Sequence, residues 1–156
     1  MTFGASSKVF SAFITDSLNR TNAFDLNSDA FKNALFNDTT TPAPAAASAS
    51  TGYNTGVWVT GNEVTSAGQW AAAGVALASI TSTFSTNVYT FDAADTASGS
   101  TATLSNAYGS LIYDDTLTTP VAKQGVCYLS FGGANSVTSG TFTVVYNASG
   151  IFTITL

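Results

Sequence analysis

The stretch SGTFTVVYNASGIFTITL, the last eighteen residues, constrains the fold more than any other part of the chain. Apolar and hydroxyl residues alternate on both sides of Asn147-Ala148-Ser149-Gly150, and a period of two lets a strand bury one face and wet the other. An amphipathic helix would need its apolar residues three and four apart, so both runs read as strands. Gly150 offers the positive φ that closes a short loop, which predicts that Thr141–Tyr146 and Ile151–Leu156 pair antiparallel as a C-terminal hairpin over residues 141–156. Leu156, an apolar final residue, is expected to sit inside a sheet or an interface.

The same grammar runs upstream. Strands are expected at Val75–Thr83, Val88–Ala93, Ala107–Tyr113 and Gly125–Phe131, each set off by Gly, Asn, Asp or Ser clusters. The sum predicts one all-β domain of 156 residues, an antiparallel β-sandwich or jelly-roll-like fold. Two segments depart from that pattern. In the N-terminal arm, residues 1–24, Val9, Phe10, Phe13, Ile14 and Leu18 recur at helical spacing, which predicts a short helix with Ser6 or Ser7 as N-cap. Residues 39–56, TTTPAPAAASASTGYNTG, are low in complexity, and Pro42 and Pro44 remove backbone donors; this reads as an extended loop, either an arm that reaches a partner or a mobile surface connection. DLNSDAFKNALFND fits either a helix capped by Ser28 or a strand at period two.

Composition narrows the function. Charged residues make up 8% of the chain, the net charge is −5, and more than a quarter of the residues are Ser or Thr. Lys8, Arg20, Lys32 and Lys123 are too few and too scattered for a phosphate-binding face, so neither nucleic acid nor an anionic membrane is an expected partner. The N-terminus has no signal-peptide apolar core, so export by the general secretory route is not expected. A hydroxyl- and alanine-rich surface suits a protein packed permanently against neighbours, or a rigid extracellular β module.

Catalytic chemistry finds little to work with. There is no His, the commonest general base and zinc ligand. Cys127 is alone, without a partner for a disulfide or a His to activate it, and reads as a small buried hydrophobe. Asp92 with Asp95, and Asp114 with Asp115, are weak calcium candidates; turn-forming aspartates that bond their own backbone are the plainer reading. Glu63 follows Thr60 by three, as in a capping box, and is expected to start a turn or short helix. No enzyme activity and no cofactor are expected. Tyr53, Trp58 and Trp70 could form an aromatic platform for sugars, against the plainer reading of core or subunit-interface packing.

The C-terminal half resembles a known family. FDAADTASGSTATLSNAYGSLIYDDT followed by PVAKQGVCYLSFGGANSVTSGTFTVVYNASGIFTITL is similar to small virion proteins of tailed bacteriophages, encoded among head and tail genes. The matching residues are Asp92-Ala93-Ala94-Asp95, Ala107-Tyr108 through Thr116, Cys127 through Gly133, Ser136 through Gly140, and Tyr146 through Thr153. Earlier, DLNSDAFKNALFND and NEVTSAGQWAAAGVALAS look like two further family segments, and by that analogy Asp29–Asn37 is a strand. The resemblance spans about three quarters of the chain, and its motifs are structural.

It implies a non-enzymatic structural protein. Expected from it is a capsid decoration or cement protein on the outer surface of the virion, a homotrimer bound to the major capsid protein. A tail or fibre component and a glycan-binding β module are the alternatives. Interface candidates are Phe10, Phe13, Pro42, Pro44, Tyr53, Trp58, Trp70 and Leu156, with the N-terminal segment and the 39–56 loop as arms.

Overall fold

The computed structural model describes residues 3–4 and 6–156; Met1, Thr2 and Ala5 of the expected N-terminal arm lie outside the described residues. The described residues are mostly β, with antiparallel sheets and one α-helix. In chain order the elements are β1 (Lys8–Val9), α1 (Ser11–Asn19), β2 (Phe31–Phe36), β3 (Glu63–Val64), β4 (Val75–Ala76), β5 (Thr81–Ser85) and β6 (Val88–Asp92). They continue with β7 (Thr96–Ala97), β8 (Ala102–Asp114), β9 (Gly125–Gly140), β10 (Thr143–Val144) and β11 (Phe152–Thr155). Short 3₁₀ turns at Ser48–Ser50 and Thr60–Asn62 lie between β2 and β3.

The main sheet has the order β1-β9-β8-β2-β3, with β4 also pairing with β2. Its centre, β8 and β2, carries the fully buried Phe31, Ala34, Leu35, Phe36, Leu111, Ile112 and Tyr113, because both faces there are covered. A three-stranded sheet, β11-β6-β5, packs on it through a line of rings. Phe31 lies 5.2 Å from Phe91, Phe91 5.4 Å from Phe152, and Phe152 5.8 Å from Phe13 of α1. These rings meet tilted or edge to face, the arrangement their quadrupoles favour.

Several expectations are corrected by long-range pairing. The C-terminal hairpin does not form: β10 pairs with β7 and β11 pairs with β6, so strands adjacent in sequence go to different sheets. Only the local turn survives, with the Gly150 amide donating to the Asn147 carbonyl (2.8 Å) and Gly150 at φ 104°. The expected strand over 75–83 is split into β4 and β5, while β8 and β9 run well past the expected bounds.

The helix begins at Ser11 after Phe10, without a side-chain cap. Val9 belongs instead to β1, paired with Cys127, and the Ser7 hydroxyl accepts from the Ser130 amide. Ser28 caps no helix; its hydroxyl donates to Asp25 within a turn, and the strand alternative holds, as Phe31–Phe36.

The 39–56 loop folds back on its own chain. The Pro44 carbonyl accepts from the Ser11 amide (2.9 Å) at the start of α1, and Thr40 and Thr51 are fully buried. The return of this loop delivers Tyr53 and Trp58 to the interior. Gly74 meets β2 so closely that a Cβ there would lie 2.2 Å from the Asn33 carbonyl oxygen, and its φ of 79° also calls for glycine.

Candidate interaction surface

Seven of the eight interface candidates are aromatic or proline residues, and the fold places the five aromatic ones in the core. Phe10, Phe13, Trp58 and Trp70 are 0%, 3%, 1% and 0% exposed, and Tyr53 is 9% exposed, so these five are core of the single chain, not surface. Trp58 is ringed by Phe36 at 5.1 Å, Phe10 and Tyr128 at 6.0 Å and Phe3 at 6.1 Å. A sugar platform needs open ring faces, and neither tryptophan has one. Pro42 is half-buried and Pro44 exposed, both in the loop held against α1. Leu156 is 82% exposed, past the end of β11.

The aspartates are occupied by their own backbone or by lysines. Asp92 accepts from the Ala93 amide and Asp95 from the Tyr146 amide, each at 2.9 Å. Asp114 Oδ1 accepts from the Thr116 and Leu117 amides, at 2.8 and 3.3 Å, which fixes the turn after β8. Asp115 pairs with Lys32 (2.8 Å) and Lys123 (3.4 Å). Among the described residues no group of three or more His, Cys, Asp or Glu converges on a metal-sized site. Asp114 is fully buried; burial first, then the neighbouring Asp29 carboxyl, pushes its pKa up to about 7.

Glu63 does not cap a helix. Its backbone opens β3, and its half-buried carboxylate accepts from the Tyr53 hydroxyl (2.7 Å), which in turn accepts from the Ala73 amide (3.0 Å). Tyr53 stacks on Tyr113 (5.2 Å, 16°), whose hydroxyl donates to the Ala73 carbonyl, and Lys123 sits 5.6 Å above the Tyr53 ring. Burial raises both Glu63 and Tyr53, the latter to about 12. The cluster locks the end of the 39–56 loop to the segment before β4. It resembles an acid–base site in composition; both tyrosine hydroxyls and Glu63 Oε2 are engaged with one another and with backbone, while Glu63 Oε1 is buried without a partner.

Two further polar networks pin the layers. Asn33 Nδ2 donates to the Tyr146 hydroxyl (3.0 Å), which shares a 2.6 Å hydrogen bond with Thr96, joining β2 to β7 and the segment after β10. Gln124 accepts from Asn22 (2.5 Å) and donates to Asp16 of α1 (2.7 Å). Cys127 is buried and free, its pKa pushed up to about 12 by burial, as expected of a packing residue.

Of the open clefts, one is markedly apolar. A groove of about 520 Å³ runs between α1, the Phe24–Asn27 turn and the three-stranded sheet, lined by Ile14, Leu18, Phe24, Leu26, Tyr89 and Ile154 among others. Leu18 and Leu156 stand out from its walls at 79% and 82% exposure, and Phe84 extends the same sheet at 59%. Of these only Leu156 was expected at a surface contact. Phe84, inside the hydroxyl-rich TSTFSTN, carried no signal beyond its own hydrophobicity. No helix among the described residues is long and apolar enough to cross a membrane.

Comparison of the chain with family models, with curated proteins and with solved structures finds no match.

Proposed function

We propose that this chain is a non-enzymatic structural component of a tailed-phage virion, a decoration or cement protein on the outer surface of the capsid. The observation that carries the reading is the contrast within one molecule: polar networks that tie the layers together inside, and a concentrated apolar face left exposed at the end of the small sheet. Such a face has a use in an assembly and a cost in a lone chain. The resemblance of the strand and turn motifs to small virion proteins points the same way. The three-stranded sheet packed on the main one supports reading the fold as a β-sandwich or jelly-roll-like domain of the kind expected for this role.

In this role the chain acts as three copies bound to the major capsid protein where coat subunits meet. Their burial adds to what internal pressure must disrupt before the shell opens. Particles stripped of the protein should eject DNA at lower temperature than decorated ones; equal ejection temperatures would remove the cementing role. Labelled protein imaged on intact virions separates head from tail, the second reading favoured by the same motifs.

A further inference from the structure

We propose that the apolar face at the tip of the three-stranded sheet is the contact between copies of this chain. Ile154 lies opposite Tyr89, and Tyr89 opposite Phe84, so the three share one face of the sheet. Leu156, two residues beyond Ile154, projects to that face as well. The inner end of the row, Phe152 and Phe91, is sealed by the core; the outer end is not. Leu18 faces it from α1 across the groove.

The area is what a stable contact between copies needs. Leu18, Phe84, Ile154 and Leu156 are 79%, 59%, 37% and 82% exposed. At roughly 200 Å² for a whole large apolar residue, they leave roughly 500 Å² uncovered, near the top of what lone soluble chains expose. The half-buried groove walls Ile14, Phe24, Leu26 and Tyr89 bring the coverable surface to roughly 700–800 Å² per copy, the size of a standard interface.

Two features select a copy of the same chain as the occupant. Asp25 is the one charged side chain lining the groove, and hydrogen bonds from Ser28 and the Asn27 amide hold its pKa low, so it stays ionised at the exposed rim while the apolar remainder of the face offers a charged partner little. Protruding side chains and a groove occur on the same face, as a self-complementary contact requires. The edge of β11 adds to this. The Leu156 amide bonds the Asn87 carbonyl, so by alternation Thr153 and Thr155 turn their backbone groups away from β6 toward the open edge. Phe152–Thr155 carries no Pro, Lys or bulge to blunt that edge.

The proposal names the surface of the multimer proposed above; it rests on that reading for the number of copies and not for the contact. The test is the mass of the purified full chain by sedimentation, for the wild type, Leu18→Asp, Leu156→Ser, the double variant and a control, Val145→Ser. Val145 is 71% exposed and lies outside the groove. Far-UV circular dichroism and the urea midpoint verify that each variant folds, and Leu18 and Leu156 are too exposed to upset the core. The wild type should give a multiple of 15.9 kDa at about 10 µM. Each groove variant should weaken association at least about 30-fold, the double variant should be monomeric, and the control should match the wild type. Because each copy carries −5, salt should tighten association. A monomeric wild type at about 200 µM overturns the proposal. So does a multimer indifferent to the groove variants or broken by the control. A dimer sensitive to the groove variants keeps the contact and removes the three-fold arrangement.

Discussion

Replacing Trp58 with Ala tests whether the aromatic residues of the long loop serve the core or a surface. The indole is 1% exposed and lies among the rings of Phe3, Phe10, Phe36 and Tyr128 at centroid distances of 5.1–6.1 Å. Burying a side chain of this size removes about 200 Å² from water, worth about 5 kcal/mol at about 25 cal/mol per Å². The alanine keeps part of that, the cavity collapses only partly, and the edge-to-face pairs are lost, so the net cost is about 3–5 kcal/mol. Against a domain stability of about 5–15 kcal/mol, this is a large fraction of the whole. For a chain of this length the melting temperature should fall by about 6–20 °C. Urea unfolding followed by far-UV circular dichroism gives the same answer through the midpoint, with an unchanged slope. Trp58→Phe, which keeps a ring against Phe36 and Phe10, should cost less than half as much. A Trp58→Ala midpoint within about 0.5 kcal/mol of the wild type would refute the core assignment and return this residue to a surface role.

Three further outcomes follow from the geometry. Asp114 has a folded pKa raised above its unfolded value of 3.8, so the folded chain binds the extra proton between about 4 and 7, and stability from this group is present at low pH and falls as pH rises through that window. Asp114→Asn, which stays neutral at every pH, should therefore gain on the order of 1–2 kcal/mol over the wild type at pH 8 and little at pH 4; an equal difference at both pH values would contradict the raised pKa. Gly74→Ala should destabilise by about 2 kcal/mol or more in urea titrations, because its Cβ would collide with the Asn33 carbonyl at a positive φ. Cys127 should resist a thiol-specific reagent in the native chain and react at once in denaturant; rapid native labelling would show that β9 opens there.

Local chemistry was legible in the sequence wherever a feature is decided by neighbours. The turn at Asn147–Gly150, the helical spacing of Phe10, Phe13 and Ile14, and the strand character of residues 88–92 all follow from a few adjacent side chains. What the sequence could not show is which strand each strand joins. Val9 fits the helical pattern yet pairs with Cys127, and Thr143–Val144 leave their neighbours for Thr96–Ala97, because edge pairing and burial across the whole chain outweigh local period. The second half of β9, GGANSVTSG, reads as a turn cluster; it remains a strand because β8 supplies hydrogen-bond partners through several register shifts. From the sequence, Tyr53 and Trp58 are open between core, subunit interface and a sugar platform. Nothing short of the loop's return path shows that they fill the interior.

The sheet order β1-β9-β8-β2-β3 also bears on how the chain reaches this state. Residue 8 pairs with residue 128, and residues 31–36 with 109–114, so most of the sheet forms only after large loops close. Two pairings are local, β5 with β6 and β8 with β9, and the second supplies the apolar surface on which β2 and the N-terminal segment can settle. The β8–β9 hairpin is thus the natural nucleus, and a topology this rich in distant contacts belongs with slow folders, on the order of milliseconds to seconds. During that interval the groove face proposed above as the contact between copies would be open to solvent, so the route to the native chain would run past the surface that such an assembly covers.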